Sequence, residues 1–301
     1  MIKKFLKRFI GRQCYWSIGI YTGDSPYHLI PPKDIQNPVL TAKDVTDRKA
    51  LFVADPFMVR EKDVWYMFFE VLNRETGKGE IGLAISKDGR HWTYQQIVLT
   101  ESFHLAYPYV FKWQGAFYMI PDSSKKKAIR LYKAVLFPCH WEFVGNLLTG
   151  FNFVDSSIFN YHDRWWLFTC PTNKNDVLKL FYASNLGGPW LEHPASPIID
   201  GNAHIARCGG RVMVLGNRII RYAQDDYPAY GSCLRAFEIT KLTNKEYEEK
   251  GYPNNPVLKA NWRRWNRSGM HNIDAHCLGK NEWIACVDGY CRVVELKNRI
   301  V

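Results

Sequence analysis

Ser86-Lys-Asp-Gly-Arg-His-Trp92 ends in a tryptophan, and that ending returns in Phe137-Pro-Cys-His-Trp141 and in Asn185-Leu-Gly-Gly-Pro-Trp190, each 49 residues after the last. A second series runs ahead of the first. It places Asp55 in Ala54-Asp-Pro-Phe-Met-Val59, Tyr107 in Ala106-Tyr-Pro-Tyr-Val-Phe111 and Asp155 in Val154-Asp-Ser-Ser-Ile-Phe159. It continues with Arg207 in Ile205-Ala-Arg-Cys-Gly-Gly210 and Asp274 in Asn272-Ile-Asp-Ala-His-Cys277, at intervals of 52, 48, 52 and 67 residues. A repeat of about 50 residues built from strands indicates a β-propeller, in which each repeat is one four-stranded blade. Five such phrases predict an all-β, five-bladed β-propeller. The first strand of every blade lines the central axis, so equivalent residues of distant repeats are expected to converge on one pocket.

Paired apolar runs separated by turns mark the strands. Blade one reads 55–60, 64–70, 80–86 and 92–99, with turns at Glu61-Lys-Asp63 and Lys87-Asp-Gly89. Blade two repeats this over 107–147, and blade three over 156–184 with a further strand after Trp190. Blade four has strands at 210–215, 218–223 and 232–239; the Glu- and Lys-rich stretch 243–251 reads as a short helix or loop insertion and accounts for the long last interval. Blade five reads 273–278, 283–287 and 292–296 and is one strand short. Tyr15-Trp-Ser-Ile-Gly-Ile-Tyr21 is expected to complete it, closing the ring and removing the open sheet edges that invite aggregation. The predicted division is a basic segment, residues 1–13, followed by one propeller domain, 14–301.

Hydrophobic residues make up 47% and aromatic residues 15% of the chain, ample for a packed core and against disorder. The eight cysteines form no CxxC pair and no metal-ligand spacing, which favours buried thiols in a reducing, cytoplasmic setting. Residues 1–12 set Ile2, Phe5, Leu6, Phe9 and Ile10 against Lys3, Lys4, Lys7, Arg8 and Arg12. That pattern suits either a helix lying on an anionic membrane at its inner face or a short cap on the propeller. A net charge of +11 fits an anionic partner such as phospholipid, nucleotide-sugar or acidic glycan. Nucleic acid is not expected, because no helix-turn-helix, zinc or RNA-binding signature is present. The most basic interior stretch, Trp262-Arg-Arg-Trp-Asn-Arg267, suits phosphates or a solvated loop between blades.

Asp55 and Asp155 stand at the same point of blades one and three and should face each other across the axis. Paired carboxylates flanking a cavity suit glycosidic chemistry, one accepting a proton while the other orients or stabilises charge. Glu70, Asp122 and Asp225 end the second strands of their blades and add carboxylates, Glu70 as a third catalytic candidate. Tyr107, Arg207, His204, Asp274 and His276 are expected to contact substrate, Arg207 as a fork for an anion or a diol. Tyr109, Trp113, Phe153, Tyr227 and Tyr230 are candidate stacking surfaces for sugar faces. On a strand Asp274 and His276 point to the same side and His271 need not, so no third ligand is evident and neither a metal nor another cofactor is expected.

These phrases, together with Trp65-Tyr-Met-Phe-Phe-Glu70 and Arg221-Tyr-Ala-Gln-Asp225, resemble the five-bladed propellers of glycoside hydrolase family 43 and its relatives. The likeness is closer to the N-terminal propeller domain of glucosamine inositolphosphorylceramide transferases and its stand-alone bacterial relatives, over roughly residues 15–296. The hydrolase resemblance implies a base at Asp55 and an orienting aspartate at Asp155. It also implies a glutamate acid on the axis of blade four, where this chain has Ala203-His-Ile-Ala-Arg-Cys-Gly-Gly210 and no carboxylate. Transfer of a sugar from an activated donor in surface-polysaccharide or glycolipid assembly is therefore the leading expectation. A family 43-like hydrolase with a displaced acid and a non-catalytic glycan-binding propeller are the alternatives. A monomer is expected.

Overall fold

The computed structural model describes residues 10–296. Two strands open the chain, β1 (Ile10–Ser25) and the short β2 (His28–Ile30). Blade one is β3 (Ala50–Glu61), β4 (Val64–Asn73), β5 (Gly79–Ser86) and β6 (Thr93–Leu99). Blade two is β7 (Ala106–Trp113), β8 (Ala116–Asp122), β9 (Ala128–Leu136) and β10 (His140–Thr149). Blade three is β11 (Val154–Tyr161), β12 (Arg164–Cys170), β13 (Lys179–Ala183) and β14 (Leu191–Glu192). Blade four is β15 (Met213–Leu215), β16 (Arg218–Asp225), β17 (Cys233–Leu242) and β18 (Tyr247–Gly251), with β19 (Leu258–Lys259) also paired to β17. Blade five joins β20 (Ile273–Gly279) and β21 (Glu282–Leu296) to β1 and β2, in the order β2-β1-β21-β20.

The repeated tryptophans have a local cause. The indole N–H of Trp92 donates to Gly89 O at 3.0 Å, that of Trp141 to Pro138 O at 2.9 Å and that of Trp190 to Leu186 O at 3.2 Å. Each therefore staples the turn between the third and fourth strands while its ring packs against a core cluster. The largest cluster runs through blades one to four, and two smaller ones fill the gaps beside blade five.

The first strands carry a second repeated device. Asp55, Tyr107 and Asp155 each sit six residues before the end of β3, β7 and β11, at a register shift in the pairing with the second strand. Their φ values are 52°, 44° and 44°. A left-handed non-glycine residue in a strand is uncommon; its recurrence in three blades makes it a property of the bulge, which turns one side chain onto the axis.

Ring closure is as expected and more extensive. β1 pairs with β21 from Ile10 opposite Leu296 to Gly23 opposite Trp283, so the N-terminal part of the chain supplies two strands of blade five. Residues 292–296 are not a separate strand but the continuation of β21, because the ladder with β1 runs unbroken across Asp288-Gly289. The expected helix or loop over 243–251 is in fact β18, whose residues pair with 237–242 of β17. Glu248 and Lys250 face solvent from this outer strand while Glu249 turns inward to the buried Arg221, which explains a composition that reads as non-strand. The long last interval is instead taken up by β19 and the connection that follows it. The start of blade four is also shorter than expected, since only Met213–Leu215 form a ladder. Of the basic N-terminal segment, residues 1–9 lie outside the described residues, and Ile10–Gln13 belong to β1 rather than to a helix.

Candidate axial site

The second strands place one residue per blade at a common point, the seventh of β4, β8, β12, β16 and β21: Glu70, Asp122, Cys170, Gln224 and Asp288. With Asp55 and Asp155 from the first strands they form a polar cluster in which every side chain is buried. The Asp55 backbone N–H donates to Asp288 Oδ2 at 3.0 Å, and the Tyr107 N–H donates to Asp55 Oδ2 at 3.3 Å. His271 Nδ1 lies 2.7 Å from Asp288 Oδ2, a close ion contact rather than an aligned hydrogen bond, and its Nε2 is 3.7 Å from Asp55 Oδ1. Trp16 of β1 stacks on the His271 ring at 3.9 Å. Across the axis, Arg207 Nε donates to Asp155 Oδ2 at 2.7 Å, and Gln224 Nε2 donates to the same oxygen. Arg207 Nη1 reaches Asn175 Oδ1 at 3.2 Å, and the Tyr230 ring lies 5.0 Å from the guanidinium.

Two features distinguish this cluster from an ordinary buried network. First, Asp55 Oδ1 and Asp155 Oδ1 are buried without a hydrogen-bond partner among the described residues. Buried carboxylate oxygens are normally satisfied, and an orphan at the axis marks where a ligand hydroxyl or water would bind. Second, the charges interact strongly. Burial pushes the Asp55 carboxyl up to about 7, with His271 opposing and Asp155 and Asp288 adding to the rise. Burial also opposes the charge on His271, yet Asp288 and Asp55 raise it to about 9. Burial and then Asp155 raise Asp122 to about 6. Glu70 is held well above the usual carboxylate range by burial and by Asp55 and Asp122.

Glu70 has a neighbour that the sequence did not single out. His104 Nδ1 accepts the Gly79 N–H at 2.9 Å, so the neutral ring carries its proton on Nε2, 3.3 Å from Glu70 Oε1. Burial and then Lys125 lower the His104 pKa and keep that ring neutral. Asp55, His271 and Asp288 also form a grouping of potential metal ligands, with their ligand atoms within 4.8 Å of one another. A cation there would have to displace the proton that the two carboxylates hold on His271.

The profile of the family described as "Glucosamine inositolphosphorylceramide transferase 1, N-terminal" matches residues 11–290. The chain belongs to this family. It is 36% identical over 298 residues to glucosamine inositolphosphorylceramide transferase 1 of Oryza sativa subsp. japonica, covering 91% of this chain and 40% of that protein. The Arabidopsis thaliana protein of the same name is 34% identical over 296 residues, covering 91% and 39%. This member of the family thus spans about two fifths of the length of the curated relatives it matches. Among solved structures, β-1,2-mannobiose phosphorylase from Listeria innocua superposes with a TM-score of 0.65 at 14% identity, covering 89% of this chain and 96% of that one. The catalytic domain of Coprinopsis cinerea GH62 α-L-arabinofuranosidase superposes with a TM-score of 0.62 at 13% identity, with the same coverage. At such identities they establish a shared fold.

Within this family propeller, the other expected contact residues are distributed differently. Tyr107 is wholly buried, and its hydroxyl bonds Ser157 Oγ and both the N–H and the carbonyl of Gly210. Gly210 has a φ of 146°, and a Cβ there would lie 1.8 Å from Ile273 O, which explains the glycine in that phrase. Asp225 stands one residue past the axial position held by Gln224; strand alternation turns it to His204 Nδ1 at 2.8 Å and to a two-pronged contact with Arg235. Asp274 and His276 are not brought to the axial cluster. Asp274 is fully buried, accepts from Arg211 Nε at 2.6 Å and Met58 N at 2.6 Å, and has His276 Nε2 at 3.1 Å. Arg211 also donates to Val110 O at 2.9 Å, so this latch ties blades one, two, four and five together. Of the expected aromatic surfaces, Tyr109 and Phe153 are core residues and Trp113 lines a cleft between blades two and three, whereas Tyr227 and Tyr230 are exposed beside Arg207 and His204.

Proposed function

We propose that this propeller is a carbohydrate-active enzyme whose axial cluster carries out sugar transfer in glycolipid or surface-polysaccharide assembly. The observation that carries the reading is that two buried carboxylate oxygens, Asp55 Oδ1 and Asp155 Oδ1, at equivalent points of blades one and three, have no hydrogen-bond partner among the described residues. The names of the family and of the plant relatives support a glycosyl group as the cargo. In the proposed step, an acceptor hydroxyl gives its proton to Asp55 as its oxygen bonds to the anomeric carbon, and the leaving group departs with the former bonding pair. A carboxyl poised at about 7 is matched to proton transfer near neutrality. Asp155, clamped by Arg207 and Gln224, orients the sugar and stabilises positive charge at the reacting carbon. Because the Arg207 Nε is committed to Asp155, only its Nη2 edge is left for a leaving phosphate.

One observation favours a second reading, hydrolysis. Glu70, whose pKa burial and the neighbouring carboxylates raise well above the usual range, lies beside His104 and is placed to donate the proton that a poor leaving group requires. Calorimetric titration with nucleotide-sugars and with oligosaccharides, followed by turnover assays on whatever binds, separates the two. Transfer predicts nucleotide-sugar binding and product formation that Asp55→Asn abolishes. Oligosaccharide hydrolysis abolished by Glu70→Gln, with aryl glycosides of good leaving group largely spared, establishes the hydrolase. Full activity in both Asp55→Asn and Asp155→Asn would remove the axial site from the chemistry.

A further inference from the structure

Among the described side chains, Arg48, Arg60, Arg90, Arg130, Arg207, Arg211, Arg218, Arg221 and Arg235 each have a carboxylate partner, whereas Arg74, Arg164 and a group of four do not. Arg263, Arg264, Arg267 and Arg292 are all exposed, and none has a carboxylate within 4.0 Å among the described residues. These four lie together, on the connection between β19 and β20 and on the strand beside it. Arg267 donates to Arg292 O at 3.4 Å, and the Arg292 N–H donates to Ser268 Oγ at 2.9 Å. Among them stands Trp262, 73% exposed, the most exposed large hydrophobic side chain among the described residues, with the Arg263 guanidinium 4.4 Å from its ring. The connection is rigidly seated: Cys291 Sγ donates to Trp265 O at 3.1 Å, and Asn266 is fully buried.

We propose that this face, Trp262 with Arg263, Arg264, Arg267 and Arg292, is a docking surface for an anionic lipid bilayer. Guanidiniums without a carboxylate partner on an exposed loop match a sheet of phosphate and carboxylate headgroups, and an exposed indole partitions to the boundary between headgroup and acyl chain. The position suits the chemistry proposed for the axis. The Tyr290 hydroxyl donates to Tyr230 O at 3.2 Å, and the Tyr230 ring lies over Arg207, so the basic face adjoins the mouth of the axial site. β1 enters the same sheet, Cys14 opposite Arg292, and the sequence preceding β1 carries Lys3, Lys4, Lys7 and Arg8.

The test is flotation of the full chain with phosphatidylcholine–phosphatidylserine vesicles and with pure phosphatidylcholine vesicles. Binding is expected to the first and not to the second, and to weaken with salt. The triple variant Arg263→Gln, Arg264→Gln, Arg267→Gln should weaken binding on the order of 100-fold, with its melting temperature unchanged because these side chains are exposed. Trp262→Ala should lower it as well. A variant with Lys3, Lys4, Lys7 and Arg8 changed to Gln should retain the arginine-dependent part. Wild-type binding by the triple variant, equal binding to neutral vesicles, or binding to an acidic polysaccharide alone would overturn the assignment. Asp55→Asn should float like the wild type, so a failure of docking and a failure of the axial chemistry are read separately.

Discussion

Asp55 and Asp274 occupy related stretches of blades one and five, both are buried carboxylates, and changing each to asparagine should have opposite consequences. Asp274 is lowered below the usual carboxylate range: burial works against its charge, but Arg211 and His276 outweigh that. Asp274→Asn leaves the Arg211 guanidinium buried without its counter-charge, and breaking one side of such a pair costs about 3–5 kcal/mol. Spread over a chain of 301 residues, an unfolding entropy of roughly 0.6 kcal/mol/K turns that into a fall of about 5–8 °C in melting temperature. Asp55 is the reverse case. Its folded pKa is raised to about 7, so its contribution to stability is fully present below the unfolded carboxylate value and is lost as pH climbs through about 7. His271, raised to about 9, contributes below its unfolded value and loses that contribution as pH climbs through about 9. Asp55→Asn should therefore cost no stability at about pH 8 and should flatten the decline of stability near neutrality. Thermal denaturation of both variants at acid and mildly alkaline pH is the assay. The reasoning fails if Asp274→Asn melts within about 1 °C of the wild type, or if Asp55→Asn falls as far as Asp274→Asn.

Four further outcomes follow from the same geometry. For the reaction that the axial site performs, kcat/KM should rise with pH through a macroscopic value near 7 as Asp55 ionises, and this limb should vanish in Asp55→Asn; a flat profile across pH 5–9 contradicts the base assignment. His104→Ala should lower kcat more than it changes KM if Glu70 exchanges its proton through that ring, while His104→Gln, which keeps a donor, should restore part of the rate. Deleting residues 1–12 removes only the first rungs of the β1–β21 ladder and should leave melting nearly unchanged, whereas deletion through Ser25 opens the ring and should abolish cooperative unfolding seen by circular dichroism. Gly210→Ala forces a Cβ against Ile273 O and should destabilise by more than about 2 kcal/mol in urea titration, whereas Gly115→Ala, which meets no atom within 4 Å, should cost only its strained φ.

How much of the site was legible follows from how the residues are related. Asp55 and Asp155 could be found because they sit at the same bulge in clean repeats, and the bulge repeats because it is written in local strand pairing. Asp225 was displaced by one position from Gln224, since a single-residue shift in a strand sends a side chain to the other face. Arg211 carried no signal: its partner Asp274 lies 63 residues further on, and nothing adjacent to either residue in the sequence marks the pair. His104 and Trp16 were missed for the same reason, each being functional only through a neighbour delivered by another blade or by ring closure.

The periodic phrases were sufficient to establish blade number, the strands of blades one to three and, from the strand missing in blade five, the need for an N-terminal strand to close the ring. The strands within a blade arise from hydrogen bonding and side-chain alternation between segments close in sequence. Only the closed torus decided which carboxylates are paired, which are orphaned and which titrate near neutrality. Those properties depend on burial and on charges brought together across as many as 233 residues, as between Asp55 and Asp288.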